Sequence, residues 1–162
     1  MIRTARPSDL PRYAIIERAA AALYAPWGLD AAFEETSTPT ARVRAAIERR
    51  ELIAATNEDD VMIGYALLEI DGAEVHLEEL AVEPTVGRRG HGSALLEATV
   101  ALAAAEKARR VTLVTLDFVP FGKVFYERRG FVSIAREELP SHLQDLLPSV
   151  GHDGRVAMQR TI

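Results

Sequence analysis

Two arginines and two glycines stand directly before an apolar, helix-forming run in the stretch VGRRGHGSALL, residues 86–96. The N-terminus of a helix leaves up to four backbone N–H groups without intrahelical partners and carries about half a positive charge. Gly90 and Gly92 let the backbone approach a ligand closely, and Arg88 and Arg89 add two permanent cations. These residue types in this order are able to hold a phosphate by amides, helix dipole and guanidinium groups together.

Two other phosphate-binding loops fit this stretch less well. A Walker loop requires G-x-x-x-x-G-K-[ST], and both the lysine and the second spacing are missing here. A dinucleotide-binding fingerprint requires G-x-G-x-x-G, and its third glycine, counted from Gly90, would fall on Leu95. A glycine turn that only caps a helix, with both arginines in solvent, explains the spacing about as well. The residues alone leave these two interpretations open.

The composition excludes several kinds of chemistry. The chain has 162 residues, of which 48% are hydrophobic and 27% charged, as in a single globular domain over 1–162. The net charge of −5 argues against a nucleic-acid partner. The absence of cysteine excludes disulfides, thiolate zinc sites and cysteine nucleophiles, and the four scattered histidines form no metal set. No segment has the length of a membrane span or the core of a signal peptide, so we expect a soluble, cytoplasmic protein with no membrane partner.

The elements that must position the loop follow from the hydrophobic pattern. Apolar residues at helical spacing predict a helix over about 9–23, and Thr40 begins a second helix after a turn-rich segment. Asp71-Gly72 is a strong hairpin signal. Strands are predicted at 51–56, 61–70, 73–83, 110–118, 131–137 and 154–161, with a weak first strand at 2–6. Helices are predicted from the loop to about Lys107 and at 121–130. The order predicts one α/β domain with a mixed sheet, antiparallel at first and with a βαβ crossover in the middle.

Two separate motifs carry a resemblance to a known family. The strand end LAVEP (80–84) leads into GRRGHG (87–92), and FYERRGF (125–131) follows downstream. With these motifs the chain resembles the GNAT superfamily of acyl-CoA-dependent N-acyltransferases, in element order from residue 2 to about residue 137. The resemblance implies a mixed, mostly antiparallel central sheet with helices on both faces and a splayed parallel strand pair. It also implies acetyl-CoA as cosubstrate and no metal.

Two positions depart from the family pattern. Gly87 stands where the family often has Gln or Arg, so that one phosphate contact is lost or is taken over by Arg88. Val119 stands where the family often has an asparagine, seven residues before the tyrosine of the second motif. Neither change removes the cradle of backbone amides.

The resemblance places the coenzyme between the strands 73–83 and 110–118. The backbone groups of Leu80 and Val82 would pair with the pantetheine arm, and the Leu80 N–H would face the thioester carbonyl and stabilise its oxyanion. The side chains of these two residues are also ordinary core positions of a strand. The implied coenzyme-binding residues are Leu80, Ala81, Val82, Gly87, Arg88, Arg89, Gly90, His91, Gly92 and Ser93.

The chemistry of amide formation requires a neutral amine, which at pH 7 is about one part in a few thousand for a lysine-like amine. Strand alternation puts His76 and Glu78 on one face. By family position we prefer Glu78 as the base and His76 as the second candidate, while Glu79 points to the other face unless a bulge intervenes. The alternatives are a hydrogen-bonded strand histidine and a solvated glutamate. Tyr126 matches the family's general acid, which would protonate the departing thiolate; otherwise it fills the helix–sheet interface.

The acceptor pocket in the family is built largely from the early helices and their connection. In that segment aromatic side chains stand beside carboxylates, which suits a cationic amine unless it is merely an acidic solvated loop. The residues are Tyr24, Trp27, Asp30, Phe33, Glu34 and Glu35.

The expected function is direct acetyl transfer from acetyl-CoA to a primary amine of a small molecule. Three other functions stay open: acetylation of a protein lysine or N-terminus, a non-catalytic acyl-CoA sensor, and a nucleotide-phosphate module. The sequence does not decide whether the closing strand pairs across the boundary of a homodimer. It also leaves open whether residues 138–153 form a flap or a surface connection.

Overall fold

The computed structural model describes residues 1–162. Its seven strands are β1 (Ile2–Thr4), β2 (Leu52–Thr56), β3 (Met62–Asp71), β4 (Glu74–Val82), β5 (Arg110–Leu116), β6 (Val132–Ile134) and β7 (Arg155–Thr161). They form one sheet in the order β1-β2-β3-β4-β5-β7-β6. The β4–β5 pair is parallel, whereas β1–β2, β2–β3, β5–β7 and β6–β7 are antiparallel. The predicted fold class, a mixed and mostly antiparallel sheet with one parallel pair, is confirmed.

Five α-helices accompany the sheet: α1 (Leu10–Ala21), α2 (Asp30–Glu35), α3 (Thr40–Arg49), α4 (His91–Ala105) and α5 (Lys123–Glu127). Short 3-10 segments lie at Pro7–Asp9, Ala22–Trp27, Pro84–Val86, Arg136–Glu138 and Ser141–Leu146. None of the helices combines the length and the apolar character that a membrane span requires.

Two compact units make up the chain. The first contains residues 1–69 and 79–101, and the second contains residues 70–78 and 102–162. Strand β4 therefore contributes its beginning to the second unit and its end, with the loop that follows, to the first.

The first unit has its core between α1, α3 and the strands β2 and β3. Tyr13 and Ile16 lie one turn apart on α1, so that both enter the core, and Val43, Ala46 and Ile47 do the same on α3. Strand pairing sets Leu52 opposite Leu67. The cluster consists of Ala5, Tyr13, Ile16, Val43, Ala46, Ile47, Leu52, Ala54, Met62, Tyr65, Leu67 and Ala81.

Gly64 brings strand β3 close to the end of β4. A Cβ atom at this position would lie 2.9 Å from the carbonyl oxygen of Ala81 and 3.3 Å from the Cα of Val82. Such contacts are too short for any side chain, so the glycine is required for the close approach. The approach fixes the backbone of β4 just where the coenzyme-binding residues are predicted.

Residues 22–39 are more ordered than the turn-rich segment that the sequence predicts. The predicted helix over 9–23 ends as an α-helix at Ala21 and continues as a 3-10 helix to Trp27. Pro26 lies inside this 3-10 helix and has no N–H to donate to the carbonyl of Ala22, so the chain does not resume α-helical geometry there. Gly28, with φ of 69°, then ends the 3-10 helix. Asp30 lies in the first turn of α2, where a carboxylate is favoured by the helix dipole.

The second unit is built around β5. Strand β7 pairs with β5 from Arg155 to Thr161, and β6 pairs with the other side of β7 at 157–159. The closing strand is therefore flanked on both sides by strands of its own chain, and β6 forms one edge of the sheet. The parallel ladder sets Glu74–Leu77 opposite Arg110–Leu113. The predicted splay between the later parts of these strands remains a prediction.

Several predicted elements of the second unit are longer than the observed ones. The strand predicted over 110–118 ends at Leu116, and the helix predicted over 121–130 is confined to Lys123–Glu127. A Cβ at Gly122 would collide with the carbonyl oxygen of Leu116, so the chain turns tightly there. Residues 138–153, for which the sequence decides no role, contain the 3-10 segment Ser141–Leu146. Leu139 and Leu143 in this range are buried against Ala157 of β7.

Candidate active site

The loop between β4 and α4 has the backbone geometry of an anion-binding turn. Glu83 donates its N–H to the carbonyl of Ile63 at 2.8 Å, and a single 3-10 turn at Pro84–Val86 follows. Arg88 and Gly90 have positive φ values of 62° and 84°, and Arg89 between them does not. Such alternation of backbone conformation directs successive N–H groups into one concavity, which is a common way to bind phosphate.

Gly90 is required by its conformation and not by lack of space. A Cβ atom there would meet nothing within 4 Å, but φ of 84° is unfavourable for any residue with a side chain. The carbonyl of Gly90 accepts the N–H of Ala94 at 2.9 Å, which begins the hydrogen-bond ladder of α4. The N–H groups of residues 91–93 therefore lie ahead of this ladder, at the positive end of a helix of 15 residues.

Two cations flank this turn without engaging any protein group. Arg88 and Arg89 are exposed, and neither makes a hydrogen bond or an ion pair. Next to the turn, Glu83 accepts a hydrogen bond from Arg12 at 2.8 Å, and the same guanidinium donates to the carbonyl of Met62 at 3.0 Å. Arg12 thus fixes the start of the loop, while the two loop arginines remain available to an anion.

Glu79 is held by two tyrosine hydroxyls in the first unit. Tyr65 donates to Oε1 and Tyr13 donates to Oε2, each at 2.7 Å, and the hydroxyl of Thr38 lies 3.4 Å from Oε2. The two tyrosine rings stack with their centroids 4.1 Å apart. Glu79 itself is half-buried and makes no ion pair. It thus joins the face of β4 that carries Ala81 into the core.

The surroundings of Glu79 shift several pKa values. Burial raises the pKa of Glu79 above its ordinary value, and the charge of nearby Glu17 raises it further, while the hydrogen bonds from Tyr13 and Tyr65 oppose the shift. Burial and then the charge of Glu79 raise the pKa of both tyrosines well above the ordinary value. Both phenols therefore stay protonated at neutral pH, where each is able to donate to the carboxylate.

The predicted acceptor segment lies within electrostatic reach of Glu79. The ring of Tyr24 stacks on Phe33 with centroids 4.0 Å apart. Burial raises the pKa of Tyr24, and the charge of Glu79 adds to the shift. The side chains of Trp27 and Phe33 remain 37% exposed. The segment therefore combines apolar surface open to solvent with a nearby carboxylate.

The remaining predicted catalytic residues belong to the second unit. His76 is buried, with Nδ1 2.9 Å from the hydroxyl oxygen of Thr112, and Glu78 is exposed on β4. Tyr126 lies on α5, is 8% exposed and packs edge to face against Phe131 at 5.7 Å. Their roles as base and acid remain predictions. No group of three or more His, Cys, Asp or Glu side chains is arranged to hold a metal ion.

Comparison with protein families gives a direct match. The profile of the acetyltransferase (GNAT) domain matches residues 48–133, which is more than half of the chain. The chain belongs to the GNAT acetyltransferase family. The predicted resemblance to this family is thereby confirmed.

Individual relatives agree with this membership. The chain is 30% identical over 135 residues to mycothiol acetyltransferase from Stackebrandtia nassauensis, covering 83% of this chain and 43% of that protein. The chain thus spans less than half the length of the curated relative.

Two solved structures share the fold. PaiA N-acetyltransferase from Thermoplasma acidophilum, in complex with coenzyme A, superposes with a TM-score of 0.79 at 16% identity. The match covers 100% of this chain and 98% of that protein. N-acetylglutamate synthase from Neisseria gonorrhoeae, complexed with coenzyme A and N-acetyl-glutamate, superposes with a TM-score of 0.77 at 20% identity. The match covers 99% of this chain and 34% of that protein.

Sequence reasoning missed the partners of Glu79. Tyr13 and Tyr65 are predicted only as parts of a helix face and a strand, and Thr38 and Glu17 are not singled out. A usable signal was nevertheless present, because a buried tyrosine normally needs a partner for its hydroxyl. The partner itself is 66 residues away from Tyr13 along the chain and could not be chosen from spacing.

Proposed function

We propose that the chain transfers the acetyl group of acetyl-CoA to a primary amine of a small molecule. The observation that carries the proposal is the loop at 87–92. Two unpaired arginines, alternating backbone conformations and the N-terminus of α4 lie together there, and this combination supports binding of the coenzyme's pyrophosphate. Membership of the GNAT family supports the same ligand.

The proposed reaction is direct. The amine nitrogen attacks the thioester carbon, the Leu80 N–H stabilises the oxyanion, and the carbon–sulfur bond breaks to release coenzyme A. A backbone donor of this kind is typically worth about 3 kcal/mol of barrier. Tyr126 is proposed to protonate the thiolate, because a phenol of pKa about 10 is a suitable donor to it. No acyl-enzyme is needed, in agreement with a chain that has no cysteine.

Thiol release in the presence of acetyl-CoA and a panel of acceptors tests this proposal. The panel contains cationic arylalkylamines and diamines, zwitterionic amino acids, and peptides with a free N-terminus or lysine. We expect turnover with one or more of the small amines. Saturable coenzyme binding without turnover on any acceptor would indicate a sensor, and turnover on peptides alone would indicate a protein acetyltransferase. Either result would refute the proposal.

A further inference from the structure

The strand β6 forms an edge of the sheet whose outer side meets no other strand. It pairs only with β7, over Val132–Ile134. Outside this ladder, the backbone groups of the three residues make no hydrogen bond to any part of the chain. An edge strand presents unpaired N–H and C=O groups to which another strand can add. The outer side of β6 is therefore open to pairing.

The residues of β6 carry nothing that opposes such pairing. At the other edge of the sheet, β1 has Arg3 at its centre, and the guanidinium group of Arg3 is bonded to Asp9 and Asp60. A charged residue in an edge strand discourages the addition of another strand. The sequence of β6 is Val-Ser-Ile, with neither a charge nor a proline, and Val132 is 58% exposed. Only one of the two edges is thus protected.

The residues on either side of β6 limit the register of an added strand. Phe131 donates its N–H to the carbonyl of Tyr126 at 3.2 Å, and Ala135 donates its N–H to Oε2 of Glu138 at 2.7 Å. The free backbone is therefore confined to the three residues of β6. Two identical strands that run antiparallel use all three residues in each copy when Ser133 of one lies opposite Ser133 of the other.

This register also brings apolar side chains together. Val132 of one copy lies opposite Ile134 of the other, and directly opposite residues of an antiparallel pair share one face of the sheet. Ile134 packs against the buried cluster of Leu139, Leu143 and Ala157. The exposed Val132 of a second copy would therefore extend this cluster across the boundary and become covered itself.

The charges at the two ends of β6 are complementary in the same arrangement. Arg128 and Arg129 precede the strand, and Glu137 and Glu138 follow it. Arg128 is exposed and its side chain makes no hydrogen bond or ion pair, and the side chain of Glu137 is 73% exposed. Antiparallel pairing brings the beginning of one strand beside the end of the other, so that opposite charges meet twice. Parallel pairing would bring like charges together at both ends.

We propose that β6 pairs antiparallel with β6 of a second copy of this chain, which gives a symmetric dimer with a sheet that continues across the boundary. The same surface of both copies is used, so the association closes at two chains. The closing strand β7 cannot take this role, because β5 and β6 flank it. The inference does not depend on the proposed function.

Sedimentation equilibrium of the full chain tests the proposal. Because two strands of three residues bury little area, we expect the wild type to dimerise with a Kd of about 1–100 µM. Val132→Lys places a charge on the edge and should raise the Kd about tenfold or more. Glu106→Arg, at an exposed position after α4, should dimerise like the wild type. Circular dichroism checks that the variants are folded.

Exchange of charges between two variants tests the register. Arg128→Glu and Glu137→Arg should each raise the Kd about tenfold or more, because each puts like charges at both ends of the strand pair. An equal mixture of the two should dimerise about as well as the wild type, because each mixed dimer has opposite charges at both ends. Damage to the fold would not be repaired by mixing.

The opposite results are equally definite. A wild type that remains monomeric at about 1 mM overturns the proposal. So does a dimer that neither Val132→Lys nor the two charge reversals weaken, because it would be held by another surface. If Val132→Lys does not fold, the charge exchange decides alone: recovery on mixing supports the pairing of β6, and absence of recovery contradicts it.

Discussion

Replacing Tyr65 by Phe removes a single hydroxyl from the Glu79 site and leaves the ring. Tyr65 donates to Oε1 at 2.7 Å, while its ring stacks on Tyr13, which keeps its own hydrogen bond to Oε2. The hydrogen bond stabilises the ionised carboxylate more than the protonated acid. A hydrogen bond to a charged group contributes about 1.5–3 kcal/mol, and about 1.4 kcal/mol corresponds to a factor of ten.

The expected consequence is a displaced pH profile. In Tyr65→Phe the pKa of Glu79 rises further above its ordinary value, because one of the hydrogen bonds that oppose the effect of burial is removed. At a pH below the inflection, kcat/KM of the variant should be about tenfold or more below that of the wild type. At high pH the kcat/KM values of the two enzymes should converge. The acidic limb of the profile therefore moves to higher pH.

The assay is thiol release with one cationic amine between pH 5 and pH 9. Because the amine is the same for both enzymes, its own ionisation cancels in the ratio of the two profiles. The groups facing Glu79 that also titrate, Glu17 and the phenols of Tyr13 and Tyr24, are common to both proteins. Unchanged affinity for acetyl-CoA serves as the control for folding. A loss of kcat/KM that is equal at every pH would refute the reasoning, because it would indicate a structural role alone.

Two further predictions concern other parts of the site. Glu79→Gln should have a higher free energy of unfolding than the wild type at pH 8 and lose this advantage at pH 4. The pKa of Glu79 is raised in the folded state. The stability that the protonated carboxyl group contributes is therefore present below its ordinary pKa, and it is lost as the pH rises through the pKa of the folded protein. Urea denaturation at both pH values measures this, and a wild type that is the more stable at pH 8 would contradict it. Tyr126→Phe should lower kcat by about a hundredfold with little change in coenzyme affinity, as expected for a general acid, and an unchanged kcat in single-turnover experiments would remove Tyr126 from the mechanism.

The sequence predicts the glycine turn and the helix that follows it because the relevant signals are local. Glycine and arginine at the mouth of a helix act through conformation and charge within a few residues, and the positive φ of Gly90 agrees with that interpretation. The hairpin at Asp71-Gly72 and the start of α3 at Thr40 are local in the same sense. Such features need no knowledge of which strands become neighbours.

The Glu79 site could be predicted only in part, because it depends on contacts distant in sequence. Strand alternation correctly separates Glu79 from the preferred base, but it does not reveal that Tyr13 of α1 and Tyr65 of β3 meet at its carboxylate. The observed ends of several helices and strands differ from the predicted ends where a single residue determines them. Pro26 lies in the 3-10 helix that follows α1, and Gly122 turns the chain tightly against Leu116.

The most direct test of the central claim is calorimetric titration of acetyl-CoA into the wild type and into the double variant Arg88→Ala, Arg89→Ala. The loop at the N-terminus of α4 should bind the coenzyme saturably. Loss of both exposed guanidinium groups should weaken binding at least tenfold, because a charged hydrogen bond is worth about 1.5–3 kcal/mol. Equal affinity in the two proteins, or no saturation in the wild type, would contradict the account.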